Sequence, residues 1–277
     1  MYKSFHDMIA VTFSIILLLT TCNSQAASTS AHHRQLPLVL IHAFPTDQRL
    51  WKPQQDGLGQ HFYIITMDLP GFGKSSTTNG QAITMDQYAD HIKAALDAKN
   101  LKKIILGGES MGGYIALAFL KRYPEYVEML VLSDTQVIAD SAETKAIREA
   151  AAQDVLANGS AKLVNDFMQK ALSASASEDT RKYLFNIASE QNPRAIASAL
   201  RGMALREDTT EVLIKTDIPV LILTGDNDLV ISSKQSEYMH KLAKNSRLVV
   251  IKNAGHLSNL EQPQQWNQAV LDMFRGD

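Results

Sequence analysis

The segment Gly108–Gly112, with the sequence GESMG, constrains the fold of this 277-residue chain more than any other segment. It follows the apolar run Ile104–Leu106 and precedes a stretch of helical composition that ends before Pro124. Strand, tight turn and helix in this order place Ser110 at the apex, where glycine two positions away on each side avoids a clash with neighbouring backbone. The next N–H then lies at a helix N-terminus, which stabilises negative charge. The pattern predicts a nucleophilic serine.

Apolar runs that alternate with helical segments predict the rest of the fold. Short runs rich in Val, Ile and Leu have the length and composition of buried strands. They are found at 38–41, 63–67, 104–107, 129–132, 220–223 and 248–251, and helices are predicted at 84–100, 114–123, 233–242 and 263–274. This alternation is typical of an α/β protein with a doubly wound, mostly parallel sheet and helices on both faces.

The stretch 135–208 interrupts this alternation because it contains no strand-like run. Helices are predicted instead at 142–157, 161–172, 178–190 and 193–205, with Gly159 and Pro193 as breaks between them. We therefore expect residues 135–208 to form a helical lid inserted into an α/β core made of residues 27–134 and 209–277. Met168 and Met203 of this lid either line a pocket or pack as ordinary residues of amphipathic helices.

The N-terminus has the composition of a signal peptide. Lys3 precedes the apolar run Ile9–Leu19, which is too short to span a bilayer, and small residues follow at Ser24 and Ala26. We predict that residues 1–26 are removed and that the protein is secreted or periplasmic, with no stable membrane span in the mature chain. A retained anchor and a lipid on Cys22 are the alternatives. Cys22 is the only cysteine, so the mature chain is expected to have no disulfide.

Composition narrows the class of partner. The chain is 20% charged with a formal net charge of -2, and it has no clustered basic block. Binding to a phosphate backbone requires such a block, so nucleic acid is not an expected partner. The expected partner is a small-molecule substrate. The adjacent His32 and His33 lie in a polar tail and are interpreted as incidental. No metal and no organic cofactor is implied.

A serine hydroxyl needs a neutral imidazole to take its proton and a carboxylate to orient that imidazole. His256 follows the strand at 248–251, and Asp228 follows the strand at 220–223. The carboxyl ends of parallel strands share one edge of the sheet, so Ser110, Asp228 and His256 are expected to meet there. Two other acids stay open: Asp134 follows the strand at 129–132, and Asp226 is interpreted as a turn residue.

An oxyanion hole needs two N–H donors. The N–H of Met111, directly after the serine, is one candidate, and that of Phe44, in the loop after the first strand, is the other. His42 precedes this loop and is predicted to shape it rather than to act as the base. Glu109 is expected to point away from the apex as a buried polar residue.

The stretch Gly73-Lys74-Ser75 looks like the end of a phosphate-binding loop. That loop requires glycine five residues before Gly73, and Asp68 stands there, so a nucleotide site is not predicted.

Together these motifs resemble those of the α/β-hydrolase superfamily, in particular the small lid-bearing bacterial hydrolases related to enol-lactonases and carboxylesterases. The resemblance covers about residues 37 to 275 and rests on HAFP at 42–45, DLPGFGKS at 68–75, the serine turn with Gly113, Gly225 to Asp228, and Gly255-His256. It implies that Asp228 is the acid of the triad. The chain departs from the family pattern at Ala43, where glycine is usual, and in the short stretch before Pro37, which implies a sheet shortened at that edge.

The resulting expectation is a secreted serine hydrolase that cleaves small or medium carboxylic esters or lactones through an acyl-enzyme on Ser110. The alternatives are other reactions of the same machinery, namely C–C bond hydrolysis, perhydrolysis or acyl transfer, and a ligand-binding sensor without turnover. Serine at the apex argues against the members of this superfamily that use an aspartate nucleophile.

Overall fold

The computed structural model of the chain describes residues 36–274. The predicted signal peptide, Cys22, His32 and His33 lie outside the described residues. The strands are β1 (Leu38–Ile41), β2 (Ile64–Thr66), β3 (Ile104–Glu109), β4 (Val127–Ser133), β5 (Val220–Gly225) and β6 (Ser246–Ile251). The helices are α1 (Lys52–Leu58), α2 (Met85–Ala98), α3 (Met111–Arg122), α4 (Ala142–Asn158), α5 (Ala161–Ala171), α6 (Glu178–Ser189), α7 (Pro193–Ala204), α8 (Thr210–Lys215), α9 (Ser233–Leu242), α10 (Ser258–Glu261) and α11 (Pro263–Phe274).

The six strands form one parallel sheet in the order β2-β1-β3-β4-β5-β6. Every residue of β1, β3 and β5 is buried, because helices cover both faces of the sheet. Side chains that alternate along a strand enter two separate cores. Leu106 packs with residues of α2, α3 and α9, whereas Ile105 packs with Trp51 before α1 and Trp266 of α11. The predicted doubly wound parallel fold is confirmed.

Local sequence sets several helix boundaries. The Thr84 hydroxyl accepts from Gln87 N–H, and the Gln87 side chain accepts from Thr84 N–H, so a capping box starts α2. The Ser232 side chain starts α9 by accepting from Lys234 N–H. Proline begins α11 at 263 and α7 at 193, where its missing N–H is not needed. Within the described part of the chain, β2 is the edge strand and no further strand pairs with it.

Four consecutive helices, α4 to α7, lie between β4 and β5, as predicted for this stretch. Helix α7 packs against α4 and is largely buried, and Met203 lies in the same core as Ala152 and Val155. Met203 is therefore a packing residue, whereas Met168 is partly buried against a smaller cluster that contains Leu172. That residues 135–208 act as a lid stays a prediction. Within residues 36–274, none of the helices has both the length and the apolar character that crossing a bilayer requires.

Candidate active site

The serine turn joins β3 to α3 at the carboxyl edge of the sheet. Ser110 has φ 53° and ψ -112°, a strained backbone conformation for a residue with a side chain. A Cβ on Gly108 would lie 2.1 Å from the Gly112 carbonyl oxygen, and one on Gly112 would lie 2.2 Å from the Ile41 carbonyl oxygen. Both glycines are required because helix, strand and turn approach closely at the backbone. Ser110 precedes the helix, but its hydroxyl makes no capping bond and is free to point into the site.

The structure brings Ser110, His256 and Asp228 together in one hydrogen-bonded chain. His256 Nε2 lies 2.8 Å from Ser110 Oγ, and His256 Nδ1 lies 2.9 Å from Asp228 Oδ2. Because a carboxylate only accepts, Nδ1 carries the proton and Nε2 is left to accept from the serine hydroxyl. The side chains of His256 and Asp228 are 1% and 0% exposed, whereas Ser110 remains 8% exposed. This geometry suits an activated nucleophile.

Asp228 is the acid that contacts the imidazole. Its other oxygen, Oδ1, accepts from the N–H groups of Val230 and Ile231 at 2.7 and 2.9 Å, which fixes the carboxylate in its loop. Asp226 instead accepts from the Asn227 side chain and, at 3.4 Å, from Ala254 N–H, as expected of a turn residue. The structure places neither Asp226 nor the third candidate, Asp134, in hydrogen-bond contact with the His256 ring.

The charge of Asp228 controls the protonation of His256. Burial by itself lowers the pKa of the imidazole, but attraction and a hydrogen bond to the Asp228 carboxylate outweigh it, and the pKa of His256 lies above its ordinary value. The imidazolium formed when Ser110 loses its proton is stabilised in the same way. The arrangement therefore favours proton transfer from the serine to the histidine.

The loop after β1 lies against the start of α3. A Cβ on Gly112 would approach the His42 carbonyl oxygen at 3.0 Å, so the backbone of this loop and the helix N-terminus are neighbours. Met111 is the first residue of α3, and Phe44 is two residues beyond His42 in the loop. This placement is consistent with the predicted donor pair of Met111 N–H and Phe44 N–H, whose role stays a prediction.

Both ring nitrogens of His42 are occupied by the backbone. Nδ1 donates to the Ala43 carbonyl at 3.0 Å, and Nε2 accepts from Leu69 N–H at 3.1 Å. Burial lowers the pKa of His42, which keeps the ring neutral. His42 thus shapes the loop, as the sequence predicted, and is not available as a second base.

A group of buried carboxyls lies behind the triad. The sequence analysis named its members but did not predict that they lie together. Glu109 is fully buried, and neither of its carboxyl oxygens has a hydrogen-bond partner among the described residues. Burial, together with the nearby Asp134 carboxylate, raises the pKa of Glu109 well above its ordinary value. Burial and the Asp228 charge raise the pKa of Asp134 to about 6. The expected buried position of Glu109 is confirmed.

The glycine-rich segment at 71–75 is closed to phosphate by Asp68. The Asp68 carboxylate accepts from Lys74 N–H at 2.8 Å and from Gln48 N–H at 3.0 Å. A Cβ on Gly73 would lie 2.4 Å from the same carboxylate. An acidic side chain therefore fills the space where a phosphate would lie, in agreement with the sequence analysis.

An open cleft of about 520 Å³ lies beside the site. Its apolar lining includes Phe44 of the loop after β1, Val230 near Asp228, and Val155, Leu163 and Phe167 of α4 and α5. The charged residues Asp154, Lys162, Asp166 and Lys170 complete the lining. The end of α5 reaches the histidine loop, because Leu257 N–H donates to the Ala171 carbonyl at 3.1 Å. The volume is in the range of small-molecule sites.

A serine on a strand-to-helix turn, bonded to a histidine and a carboxylate at the carboxyl edge of a parallel sheet, defines the class of α/β hydrolases. The chain belongs to the family described as the alpha/beta hydrolase fold, whose family model matches residues 37–263.

Relatives of known function are similar over most of the chain. A hydrolase of (E)-2-((N-methylformamido)methylene)succinate from Acinetobacter baylyi is 29% identical over 84% of this chain and 88% of its own length. The 3-oxoadipate enol-lactonase 1 of the same organism is 28% identical over 83% of this chain and 85% of its own length. Among solved structures, a thermophilic esterase from Thermogutta terrifontis with malate bound is 34% identical, with a TM-score of 0.85 over 87% of this chain and 89% of that one.

Proposed function

We propose that this protein is a serine hydrolase that cleaves carboxylic esters or lactones through an acyl-enzyme on Ser110. The observation that carries the proposal is the chain of contacts from Ser110 Oγ through the His256 ring to Asp228, at 2.8 and 2.9 Å. The position of Ser110 on a strained turn at a helix N-terminus provides both a hydroxyl that makes no capping bond and a place for developing negative charge. The esterase and the enol-lactonase among the relatives support the same reaction class.

Acylation begins when Ser110 Oγ attacks the substrate carbonyl and its proton passes to His256 Nε2. Asp228 stabilises the imidazolium through Nδ1–H. The carbonyl oxygen becomes an oxyanion, which the N–H groups of Met111 and Phe44 hold. Collapse of this tetrahedral intermediate breaks the bond to the alcohol, which takes the proton from His256 and leaves. In a lactone the alcohol remains tethered to the acyl group.

Deacylation uses the same residues, with a water molecule as the nucleophile and Ser110 as the leaving group. His256, neutral again, removes a proton from a water molecule, which attacks the acyl carbonyl on Ser110. A second tetrahedral intermediate collapses, the serine recovers its proton from His256, and the carboxylic acid is released. The described residues supply each proton transfer in this cycle.

The cleft beside the site favours substrates with an apolar acyl or alkoxyl group. Its side walls are α4 and α5, so the helical segment 135–208 acts as the lid that sets specificity. A volume of about 520 Å³ suits small and medium esters rather than polymers.

The test combines a covalent probe with turnover. A fluorophosphonate is expected to label the wild type at Ser110, and a panel of p-nitrophenyl esters and lactones is expected to show multiple turnovers. Ser110→Ala should abolish labelling and lower kcat by about 10⁴-fold or more while leaving the fold intact. Ser189→Ala, at an exposed serine of α6, is the matched control and should behave as the wild type.

Turnover of Ser110→Ala close to that of the wild type would overturn the proposal. A stoichiometric burst of nitrophenol that stops after one equivalent would instead favour a sensor that is acylated but not regenerated. Products from a thioester acceptor or from a C–C bond, in the absence of ester turnover, would assign the same residues to another reaction of the family.

We also propose that the protein is exported and that its mature form begins at Ala27. The basic residue, the short apolar run and the small residues before Ala27 support this proposal. Mass spectrometry of the protein from periplasmic and membrane fractions tests it. An intact N-terminus, or a lipid on Cys22 in the membrane fraction, would contradict it.

A further inference from the structure

Asp134 connects two of the loops at the carboxyl edge of the sheet. Its Oδ1 accepts from Gly225 N–H at 2.7 Å, where the loop that carries Asp228 begins. Its Oδ2 accepts from the Ser258 hydroxyl, and Ser258 N–H lies 3.4 Å from the same oxygen. Ser258 is two residues beyond His256. A single carboxylate therefore bridges the loop of the acid and the loop of the base.

Asp134 is itself held firmly. Its N–H donates to the Leu223 carbonyl at 2.9 Å, and its backbone has φ 48°, a left-handed conformation that disfavours most side chains. The Ser133 hydroxyl donates to Oδ2 at 3.2 Å and in turn accepts from Trp266 Nε1 at 3.0 Å. Such a conformation persists only where the surroundings fix it, and it concentrates at functional sites.

Stability alone does not account for an acid at this position. Asp134 is 0% exposed, and no cation pairs with it among the described residues. The Asp228 carboxylate repels it, and burial penalises its charge. Its four hydrogen-bond contacts are all with donors from the flanking loops and from the adjacent Ser133, which is the arrangement that a bridging acceptor needs.

We infer that Asp134 is a positioning residue, which aligns the loops of Asp228 and His256 so that the imidazole contacts the carboxylate and Ser110 at the same time. This inference rests on the proposed function of the triad. Asp134 is buried behind the triad and does not line the cleft, so its loss should lower kcat and leave KM nearly unchanged. Displacement of a reacting group by about 1 Å can cost about 10²-fold in rate.

The test uses Asp134→Asn and Asp134→Gly in the full chain, with p-nitrophenyl acetate as substrate. Glycine is chosen over alanine because it adopts φ 48° without strain. Active sites are counted with a fluorophosphonate, and kcat is expressed per labelled site. We expect a loss in kcat of about 10²-fold for Asp134→Gly and about tenfold for Asp134→Asn, whose amide oxygen keeps the contact with Gly225 N–H. KM should change by less than about twofold in both.

Two further variants separate positioning from general destabilisation. Asp140→Asn is the matched control, because Asp140 is also a buried acid but binds Arg206 and Arg148 away from the triad. It should lower stability without lowering kcat per labelled site. Ser258→Ala removes one hydroxyl donor to Asp134 and should lower kcat about fivefold. It provides the test if both Asp134 variants fail to fold.

Unchanged kcat per labelled site in Asp134→Gly or in Ser258→Ala would overturn the inference. A loss of about 10⁴-fold in Asp134→Asn, with Asp228→Asn nearly active, would overturn it as well, since Asp134 would then be the acid. Failure of the proposed function is distinguishable, because it would appear as absent labelling and turnover in the wild type. In that case the downfield NMR signal of His256 Nδ1–H still reports on alignment: it should shift or broaden in Asp134→Gly and stay unchanged in Asp140→Asn.

Discussion

The carboxyl edge of the sheet and helices α4 to α6 differ in how closely their backbones approach their neighbours. At the edge, a Cβ on Gly112 would lie 2.2 Å from a carbonyl oxygen, and Ser110 and Asp134 both have left-handed backbones. Between α4 and α5, a Cβ on Gly159 would meet nothing within 4 Å. The helices also leave Ile147 and Phe185 exposed. The edge thus places the reacting groups, whereas the helices provide a surface that tolerates variation.

The largest effect is expected for Asp228→Asn at the edge. The amide cannot stabilise the imidazolium and favours the wrong tautomer of His256, so kcat should fall by about 10⁴-fold. The raised pKa of His256 depends on the Asp228 charge, and activity requires the neutral ring. The acid limb of the kcat/KM profile should therefore lie above pH 6.5 in the wild type and move to lower pH in the variant. An unmoved acid limb would contradict this account of the histidine.

Gly112→Ala and Gly159→Ala compare the two regions with the same chemical change. Alanine at 112 must displace the backbone of β1 or of α3, so we expect loss of activity and a fall in the unfolding free energy of about 3 kcal/mol or more. Alanine at 159 has space for its Cβ but must adopt φ 82°. It should therefore lower the unfolding free energy by about 1 kcal/mol and leave kcat unchanged. Urea unfolding and ester turnover measure both. Equal costs at the two positions would remove the distinction drawn between the regions.

Glu109→Gln tests the buried carboxyls through the pH dependence of stability. The raised pKa of Glu109 means that the folded protein keeps a proton that the unfolded chain releases, so this group lowers the unfolding free energy as pH rises above the ordinary pKa of glutamate. The loss is about 1.4 kcal/mol per pH unit until Glu109 ionises in the folded state. The amide does not titrate, so the variant should gain stability relative to the wild type as the pH rises from 4.5 until Glu109 ionises in the folded state. A constant difference across this range would contradict the raised pKa.

The smallest effect is expected for Phe167→Ala in α5. The ring lines the cleft and is only partly buried, so its loss should raise KM for p-nitrophenyl butyrate by about tenfold or less and leave kcat for the acetate unchanged. Ile147→Ala, at an exposed residue of α4 outside the cleft lining, is the matched control and should leave both constants unchanged. A large loss of kcat in Phe167→Ala would indicate that α5 contributes to the chemical step rather than to substrate specificity.

Prediction from sequence succeeded where one short segment fixes the structure. The apolar runs located the core of each strand, and the serine turn was predicted because its two glycines and its serine lie within five consecutive residues. Helix α1 was missed because its sequence, KPQQDGL, lacks an apolar stripe. It is stabilised by tertiary contacts instead, such as the buried Gln54 side chain, which donates to the Asn259 carbonyl and to Asn267. Helix propensity and hydrophobic periodicity cannot predict such tertiary contacts.

The catalytic residues of the site could be predicted from the sequence, but their supporting contacts could not. Ser110, Asp228 and His256 follow strand ends in an order that a parallel sheet brings together, so their meeting could be predicted. The part played by Asp134 could not, because its partners Gly225, at the end of β5, and Ser258, at the start of α10, are distant in sequence and carry no motif. The choice between Asp134 and Asp228 as the contact of His256 also needed coordinates, since both follow strands of the same sheet.

The parallel order of the sheet has a consequence for when activity can arise. Ser110 enters with β3, whereas Asp228 and His256 follow β5 and β6, and the two groups become neighbours only when β4 pairs with β5 across the whole helical segment. Such long-range pairing is slow because a large loop must close first. A chain still being synthesised lacks its base until residue 256 has emerged. The reactive serine is therefore inert until folding is complete.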